Sequence, residues 1–122
     1  MHAAAVAKIG WPVRWKGRDE RGVDCAGLLV VCRNEALGVA DDVLAYGKLP
    51  RPATVYEAIG RFAARIEAAD ALPGDVVIVR DQGVPCHVGI VGTRGVIHAD
   101  HRTHKIVETK LPVTAAFRLR EV

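Results

Sequence analysis

The sequence predicts an α+β domain in which N-terminal helices pack on an antiparallel β-sheet. Two segments with apolar residues at helical spacing come first, and a series of short β-branched segments separated by turn signals follows them. Helices that precede a run of adjacent strands are typical of α+β proteins. The 122 residues suffice for one substantial core, so residues 1–122 are expected to form a single domain.

The first predicted helix spans residues 24–37. Apolar side chains recur at helical spacing from Cys25 onwards, and Gly38 follows as a stop signal. Asp24 stands in the N-cap position, which places Cys25 in the first turn. Unpaired N–H groups and the positive end of the helix dipole lower the pKa of a thiol there, and the thiolate is the nucleophilic form. Cys25 is therefore the candidate nucleophile.

The other two cysteines, Cys32 and Cys86, are expected to pack as small hydrophobic side chains. The same structural interpretation applies to Cys25 when that residue is considered alone. Three cysteines are an odd number and none belongs to a CxxC pair, so neither a disulfide framework nor a zinc ribbon is indicated.

A connecting loop over residues 38–53 and a second helix are predicted next. Thr54 and Glu57 fit a capping box at the start of that helix. An apolar stripe follows at helical spacing, formed by Val55, Ile59, Phe62 and Ile66. The helix is expected to end near Ala69, because residues 72–75, Leu-Pro-Gly-Asp, are a turn signal.

Five strands are predicted beyond this turn, over residues 76–79, 87–91, 96–100, 105–110 and 115–121. Residues 92–95 fit a four-residue hairpin loop, which would pair Val91 with Val96. Side chains alternate between the two faces of a strand, so this register places His87 and His98 on the same face. Their Cβ atoms would then lie about 7 Å apart, within reach of two imidazole rings.

Asp100 lies on the face that carries these two histidines. A helix packed across that face would bring the thiol of Cys25 to His87, which assembles a nucleophile, a base and an orienting group for acyl transfer. The prediction depends on the register, because a slip of one residue moves one histidine to the opposite face.

Two other interpretations of the histidines remain open. Each of His87 and His98 could be a polar strand residue that faces solvent. A metal site is the second interpretation, since His98, His101 and His104 are evenly spaced and Cys86 adjoins His87. This spacing suits neither one face of a strand nor the usual zinc patterns, so no metal site is predicted.

Charge and hydropathy exclude several classes of function. The formal net charge is +3, but the basic residues are scattered and lack interleaved aromatics, so nucleic-acid binding is not favoured. A mildly basic surface equally suits an anionic polymer such as a cell wall. No apolar run approaches the length of a membrane span, and the N-terminus has no secretory signal pattern. The chain is therefore expected to be made in the cytoplasm without export of its own.

Five short motifs together resemble the NlpC-type family of papain-like cell-wall cysteine peptidases. In the family's order they are GWPVRWKG at residues 10–17, VDCAGL at 23–28, LPGD at 72–75, HVGIV at 87–91 and VIHA at 96–99. The resemblance spans residues 10 to 100, which is most of the chain. Each motif alone is weakly specific, whereas five in the same order with suitable spacing are strongly so.

The resemblance implies a papain-like NlpC fold and a cysteine peptidase mechanism. Cys25 would attack a peptide carbonyl, His87 would take the thiol proton and later protonate the leaving amine, and His98 would orient the ring of His87. The implied substrate is an amide of peptidoglycan stem peptides, commonly next to a D-glutamyl residue. No metal or organic cofactor is implied, and backbone N–H groups at the start of the helix would bind the oxyanion. Whether Asp100 assists or replaces His98 stays open.

Two positions depart from the family's pattern. Ala26 follows the cysteine where the family usually has serine, and Val13 stands where the first loop usually carries a tyrosine. That tyrosine typically helps with the oxyanion or orders the site. A protein that keeps the fold but has little or no catalysis therefore remains an alternative, as does a related papain-like acyltransferase or amidase.

The sequence also looks similar to the members of this family that are encoded in tail modules of bacteriophages and gene transfer agents. The segment around Tyr46 to Pro52 fits that subgroup, although less specifically than the cysteine and histidine motifs. This resemblance implies tail-tip proteins as partners and a location in the virion tail, with action in the periplasm or cell wall. The alternative is a structural tail component.

Overall fold

The computed structural model describes residues 1–42, 52–81 and 84–120, of which residues 52 and 84–86 are described by their backbone alone. The helices in these ranges are α1 (His2–Val6), α2 (Cys25–Leu37) and α3 (Pro52–Gly60). The strands are β1 (Arg18–Asp19), β2 (Gly22–Val23), β3 (Ala63–Ile66), β4 (Val76–Asp81), β5 (Val84–Val91), β6 (Val96–Asp100), β7 (Lys105–Thr109) and β8 (Val113–Leu119). Within the described residues, no helix combines the length and apolar character that a membrane span requires.

The sheet confirms the predicted α+β class. Strands β3 to β8 form one sheet in the order β3-β8-β4-β5-β6-β7, in which every neighbouring pair is antiparallel. Strands β1 and β2 form a separate small hairpin ahead of α2. The five strands predicted from the sequence correspond to β4 through β8.

Helix α2 begins and ends as the sequence predicts. The side chain of Asp24 caps it, since Oδ1 accepts a hydrogen bond of 2.7 Å from the Gly27 backbone N–H. Gly38 ends it with a left-handed backbone at φ 66°, which glycine adopts without strain. Cys25 is therefore the first residue of this helix, as predicted.

Helix α3 is shorter than the sequence predicts and starts earlier. It begins at Pro52, so Thr54 and Glu57 lie inside the helix instead of forming a capping box at its start. It ends at Gly60 and not near Ala69, and β3 follows after a two-residue turn and pairs with β8. Glycine weakens a helix interior, and pairing with a strand from the end of the chain then outweighs the local helical pattern.

The two faces of the sheet have different neighbours. Helix α2 packs on β5 and β6 through Leu28 and Leu29, against a face that includes Val88 and Ile90. The opposite face carries a smaller cluster formed by Val77, Val79, Val96 and Ala116. Helix α2 therefore buries the first of these faces.

The histidines of β5 and β6 belong to the face with the smaller cluster. His87 pairs with Val79 across β4 and β5, and paired residues point to the same side. The prediction that the cysteine helix packs across the histidine face is therefore wrong. The predicted hairpin register is nevertheless confirmed, because Val91 pairs with Val96.

Candidate active site

The thiol of Cys25 lies at the start of α2, where the helix meets β5. The residue is half-buried and contacts both hydrophobic clusters under the helix. Hydrogen bonds from the backbone at Val88 and Ala26 reach the thiol. Val88 follows His87 in β5, so the helix start and the histidine strand meet at this point.

The pKa of the Cys25 thiol is raised, whereas the position in the first turn of a helix predicts that it is lowered. Burial is the largest cause, and the carboxylate of Asp24 adds to it by disfavouring a second negative charge nearby. The backbone hydrogen bonds from Val88 and Ala26 act in the opposite direction but are the weaker influence. The group is therefore a thiol at neutral pH until a base removes its proton.

Cys25 is expected to alkylate faster than Cys32 at neutral pH. Cys32 is fully buried inside the core, and burial raises its pKa to about 11, whereas Cys25 is partly open to solvent. Iodoacetamide labelling followed by peptide mass spectrometry measures both rates, and a Cys25→Ala variant identifies the fast site. Equal slow labelling of both residues would contradict the prediction. The expected packing of Cys86 lies outside the described side chains.

The two predicted histidines are brought together and are fully buried. Nε2 of His87 lies 3.0 Å from Nδ1 of His98, and the rings meet edge to face with centroids 5.0 Å apart. Burial and the neighbouring His98 lower the pKa of His87 to about 4, so its ring is neutral at physiological pH. Burial also lowers the pKa of His98. The interpretation of these residues as solvent-facing is wrong.

The remaining ring nitrogen of His87, Nδ1, is buried and has no hydrogen-bond partner among the described residues. A base must offer an unprotonated nitrogen, so a neutral His87 that acts through Nδ1 carries its hydrogen on Nε2 and donates it to His98. His98 then carries its own hydrogen on Nε2, which lies 2.7 Å from Oγ1 of Thr109. The chain of contacts Thr109–His98–His87 can accommodate the tautomer that a base requires, because the Thr109 hydroxyl can accept the hydrogen of His98.

Thr109 was not identified from the sequence, although its segment has the pattern of a strand. His98 pairs with Val107 on β7, and Thr109 lies two residues further along the same face. The β7 segment is strand-like in the sequence, but its register against β6 could not be derived there.

Replacing Thr109 by valine is expected to allow His98 to adopt both of its neutral tautomers. Valine keeps the shape but removes the oxygen acceptor, which costs about 1 kcal/mol of stability and leaves Nε2 of His98 unpaired. The ¹⁵N shifts of His98 should change from one tautomer to a mixture, and Thr109→Ser should preserve the original spectrum. Identical spectra for the valine variant and the native protein would contradict this role.

Asp81 is the second residue at the site that sequence reasoning missed. It is the last residue of β4. A carboxylate oxygen of Asp81 and one ring nitrogen each of His87 and His98 all lie within 4.8 Å of one another. Two imidazoles and a carboxylate are ligands that Zn²⁺ accepts, so these residues could hold a metal ion. In this structure the two facing ring nitrogens bond each other instead.

The other described candidate groups make no hydrogen bond to the two buried histidines. His101 and His104 are exposed in the turn after β6, so the evenly spaced histidines do not form a common ligand set with His98. Asp100 accepts a hydrogen bond of 2.8 Å from Oγ1 of Thr103 and a backbone bond from Arg102. The group that contacts His87 is accordingly His98 and not Asp100.

The N-terminal loop supplies no hydroxyl at the position where a tyrosine was expected. Val13 lies in a strand-like segment, and its backbone N–H donates a hydrogen bond to the carbonyl of His104. Its side chain packs against the same hydrophobic cluster as Cys25.

Comparison with known proteins agrees with this fold and this arrangement of motifs. The model of the NlpC/P60 family matches residues 10–117. The chain belongs to the NlpC/P60 family. It is 34% identical over 95 residues to the probable endopeptidase NlpC of Escherichia coli, covering 74% of this chain and 53% of that protein. The chain thus spans about half the length of this NlpC/P60 relative.

Solved NlpC/P60 structures show the same fold. The NlpC/p60 domain of the peptidoglycan hydrolase SagA superposes with a TM-score of 0.68 at 23% identity, covering 96% of this chain and 94% of that domain. RipD of Mycobacterium tuberculosis, a non-catalytic NlpC/p60 protein adapted to peptidoglycan binding, superposes with a TM-score of 0.62 at 17% identity, covering 98% and 93%. The NlpC/P60 fold therefore occurs in both catalytic and non-catalytic proteins.

Proposed function

We propose that this protein is a cysteine endopeptidase that hydrolyses stem peptides of peptidoglycan, with Cys25 as nucleophile, His87 as base and His98 as orienting residue. The observation that carries the proposal is the state of His87. Its Nε2 is bonded to His98 while its buried Nδ1 is left without a described partner, and the thiol of Cys25 touches the backbone of the next residue. The proposal requires the thiol of Cys25 to come within hydrogen-bond distance of Nδ1 during the reaction.

The proposed reaction begins when the S–H bond of Cys25 breaks and its proton forms an N–H bond at Nδ1 of His87. The sulfur electron pair attacks the peptide carbonyl carbon, and backbone N–H groups at the start of α2 bind the resulting oxyanion. His87 then gives its proton to the leaving amine, and the C–N bond breaks to leave a thioester. Water, deprotonated by His87, hydrolyses the thioester and restores the thiol.

Digestion of purified Gram-negative peptidoglycan by the native protein and by Cys25→Ala tests the proposal. Mass spectrometry of the released fragments should show cleaved stem peptides for the native protein alone. The same fragments distinguish an endopeptidase from an amidase or an acyltransferase, because the bond that is broken or formed differs. Identical digests for the two proteins would overturn the assignment of Cys25.

A non-catalytic wall-binding or structural role is the second candidate. It is favoured by the absence of a hydroxyl at Val13 and by the raised pKa of the Cys25 thiol. Sedimentation with insoluble peptidoglycan tests it directly. Binding without any fragment release, in both the native protein and Cys25→Ala, would support this role over hydrolysis.

The proposed location is the tail tip of a phage or gene-transfer-agent particle, where the domain would meet the wall of the cell under attack. The support is the resemblance of the motifs to tail-associated members of the family. The segment around residues 46–52 that contributes to this resemblance lies outside the described residues, apart from the backbone of residue 52. Labelling of purified particles with gold-conjugated antibody tests the location, and absence of the protein from such particles would contradict it.

A further inference from the structure

Three side chains on the neighbouring strands β4, β5 and β6 can supply ligands to one metal ion. The carboxylate of Asp81 and the imidazoles of His87 and His98 each offer a ligand atom, and these atoms all lie within 4.8 Å of one another. Both histidines are fully buried, and the side chain of Asp81 is 8% exposed. The strands already hold these groups together, which reduces the cost of collecting them around an ion.

The two facing ring nitrogens are spaced almost as they would be in a zinc site. Nε2 of His87 lies 3.0 Å from Nδ1 of His98. Zn–N bonds are about 2.05 Å long, so two nitrogens on a tetrahedral ion lie about 3.3 Å apart. Both nitrogens can therefore bind one ion after the rings turn towards it and separate by about 0.3 Å.

Thr109 orients one of these two ligands. Its Oγ1 lies 2.7 Å from Nε2 of His98. When Nε2–H donates to this oxygen, Nδ1 of His98 carries no hydrogen and its lone pair is available to an ion. Histidines that bind metal ions commonly donate their other N–H to an oxygen in this way.

The ligand chemistry selects the class of ion. Two imidazoles and one carboxylate suit Zn²⁺, with water in the fourth position, whereas Mg²⁺ and Ca²⁺ prefer oxygen ligands alone. Arg102 competes with an ion for the carboxylate, because its guanidinium lies 3.5 Å from an oxygen of Asp81. The side chain of Arg102 is 59% exposed, so it can move aside into solvent when an ion binds.

We propose that Asp81, His87 and His98 form an inhibitory binding site for Zn²⁺. An ion on Nε2 of His87 replaces the hydrogen there, and the neutral ring then carries its hydrogen on Nδ1, the nitrogen that the proposed reaction needs unprotonated. The ion also takes the place of the hydrogen bond between the two histidines. Binding of the ion is independent of the proposed function, whereas inhibition rests on it.

Calorimetric titration with Zn²⁺ tests the site in a protein that carries Cys25→Ala and Cys86→Ala, where neither thiol can supply a ligand. Saturation is expected at one equivalent of Zn²⁺, with no binding of Mg²⁺. Asp81→Asn should weaken binding at least about tenfold, because even the loss of an outer partner of a ligand costs about 10- to 100-fold in affinity. His104→Gln removes an exposed imidazole and should leave the affinity unchanged. Absence of saturable binding, or equal affinity in Asp81→Asn, would overturn the inference.

Arg102→Gln separates a lost ligand from a damaged fold. It should tighten Zn²⁺ binding, because it removes a cation that competes for Asp81. A variant that merely loosens the fold weakens binding, so opposite effects of Asp81→Asn and Arg102→Gln support the site. In the same samples, the ¹⁵N shifts of His87 should show that the hydrogen is on Nδ1 once Zn²⁺ is bound. A His87 spectrum that Zn²⁺ leaves unchanged would contradict binding at this ring.

Peptidoglycan digestion by the native protein tests the inhibition. Zn²⁺ should stop the release of fragments, and EDTA should restore it. The Zn²⁺ concentration that halves each protein's own rate should be about tenfold higher for Asp81→Asn than for the native protein. Equal concentrations for the two proteins would overturn inhibition through this site. Stoichiometric Zn²⁺ binding by a protein that never releases fragments would overturn the proposed function and leave the binding site supported.

Discussion

Replacing His87 by glutamine is expected to lower the rate of peptidoglycan hydrolysis by about 10³-fold. A positioned general base contributes about 10² to 10⁴ in rate, and glutamine supplies no basic nitrogen. The loss should be large here because the pKa of the Cys25 thiol is raised, so the thiolate does not form without a base. Timed digestion of peptidoglycan with fragment counting by mass spectrometry measures the effect.

His101→Gln is the matched control for this experiment. The ring of His101 lies 5.7 Å from that of His87, but the residue is exposed and no hydrogen bond joins it to the buried pair. Its variant should keep the native rate within about threefold, as expected for an exposed side chain that makes no hydrogen bond to the buried pair. Equal losses in the two variants would contradict the assignment of His87 as the base.

The parts of the fold that could be predicted from the sequence are those that local interactions determine. Asp24 and Gly38 mark the ends of α2 through capping, which involves only neighbouring residues. The hairpin between β5 and β6 follows from a four-residue loop, which sets the register of Val91 against Val96. His87 and His98 could therefore be placed on one face before the structure was known.

The parts that could not be predicted depend on pairing between distant segments. Strand β3 forms because residues 63–66 pair with β8 near the end of the chain, and no local sequence pattern predicts this strand. Helix α2 packs on the face opposite the histidines, where apolar side chains of β5 and β6 form hydrophobic clusters with Leu28 and Leu29. Periodicity alone indicates two faces but not which of them a helix covers.

At the site, too, local properties could be predicted from the sequence, whereas properties that depend on tertiary packing could not. The helix start correctly marked Cys25 as distinct from Cys32, because a position in the first turn is a local property. The sign of its pKa shift was wrong, since burial under two hydrophobic clusters is a property of the folded protein. Strand pairing places Asp81 and Thr109 beside the histidines, and the register of that pairing could not be predicted from the sequence.

The stability of the protein is expected to fall as the pH is lowered from about 6.5 to about 4. His87 is neutral in the folded protein, where burial and His98 lower its pKa from 6.5 to about 4, whereas the unfolded chain takes up the proton near its ordinary value. The unfolded state therefore binds more protons in this window, and stability rises with pH there. The loss on acidification should be about 3 kcal/mol, and it should be complete once the pH falls below about 4.

Urea unfolding at a series of pH values measures this loss, and His87→Gln isolates the part that His87 contributes. The variant has no titrating ring at this position, so its free energy of unfolding should depend less steeply on pH between 6.5 and 4 than that of the native protein. Carboxylates distant from His87 contribute to both proteins alike, and the difference between the two curves removes them. Parallel curves would show that His87 takes up its proton equally well in the folded state, which is incompatible with the buried, neutral ring that the proposed base requires.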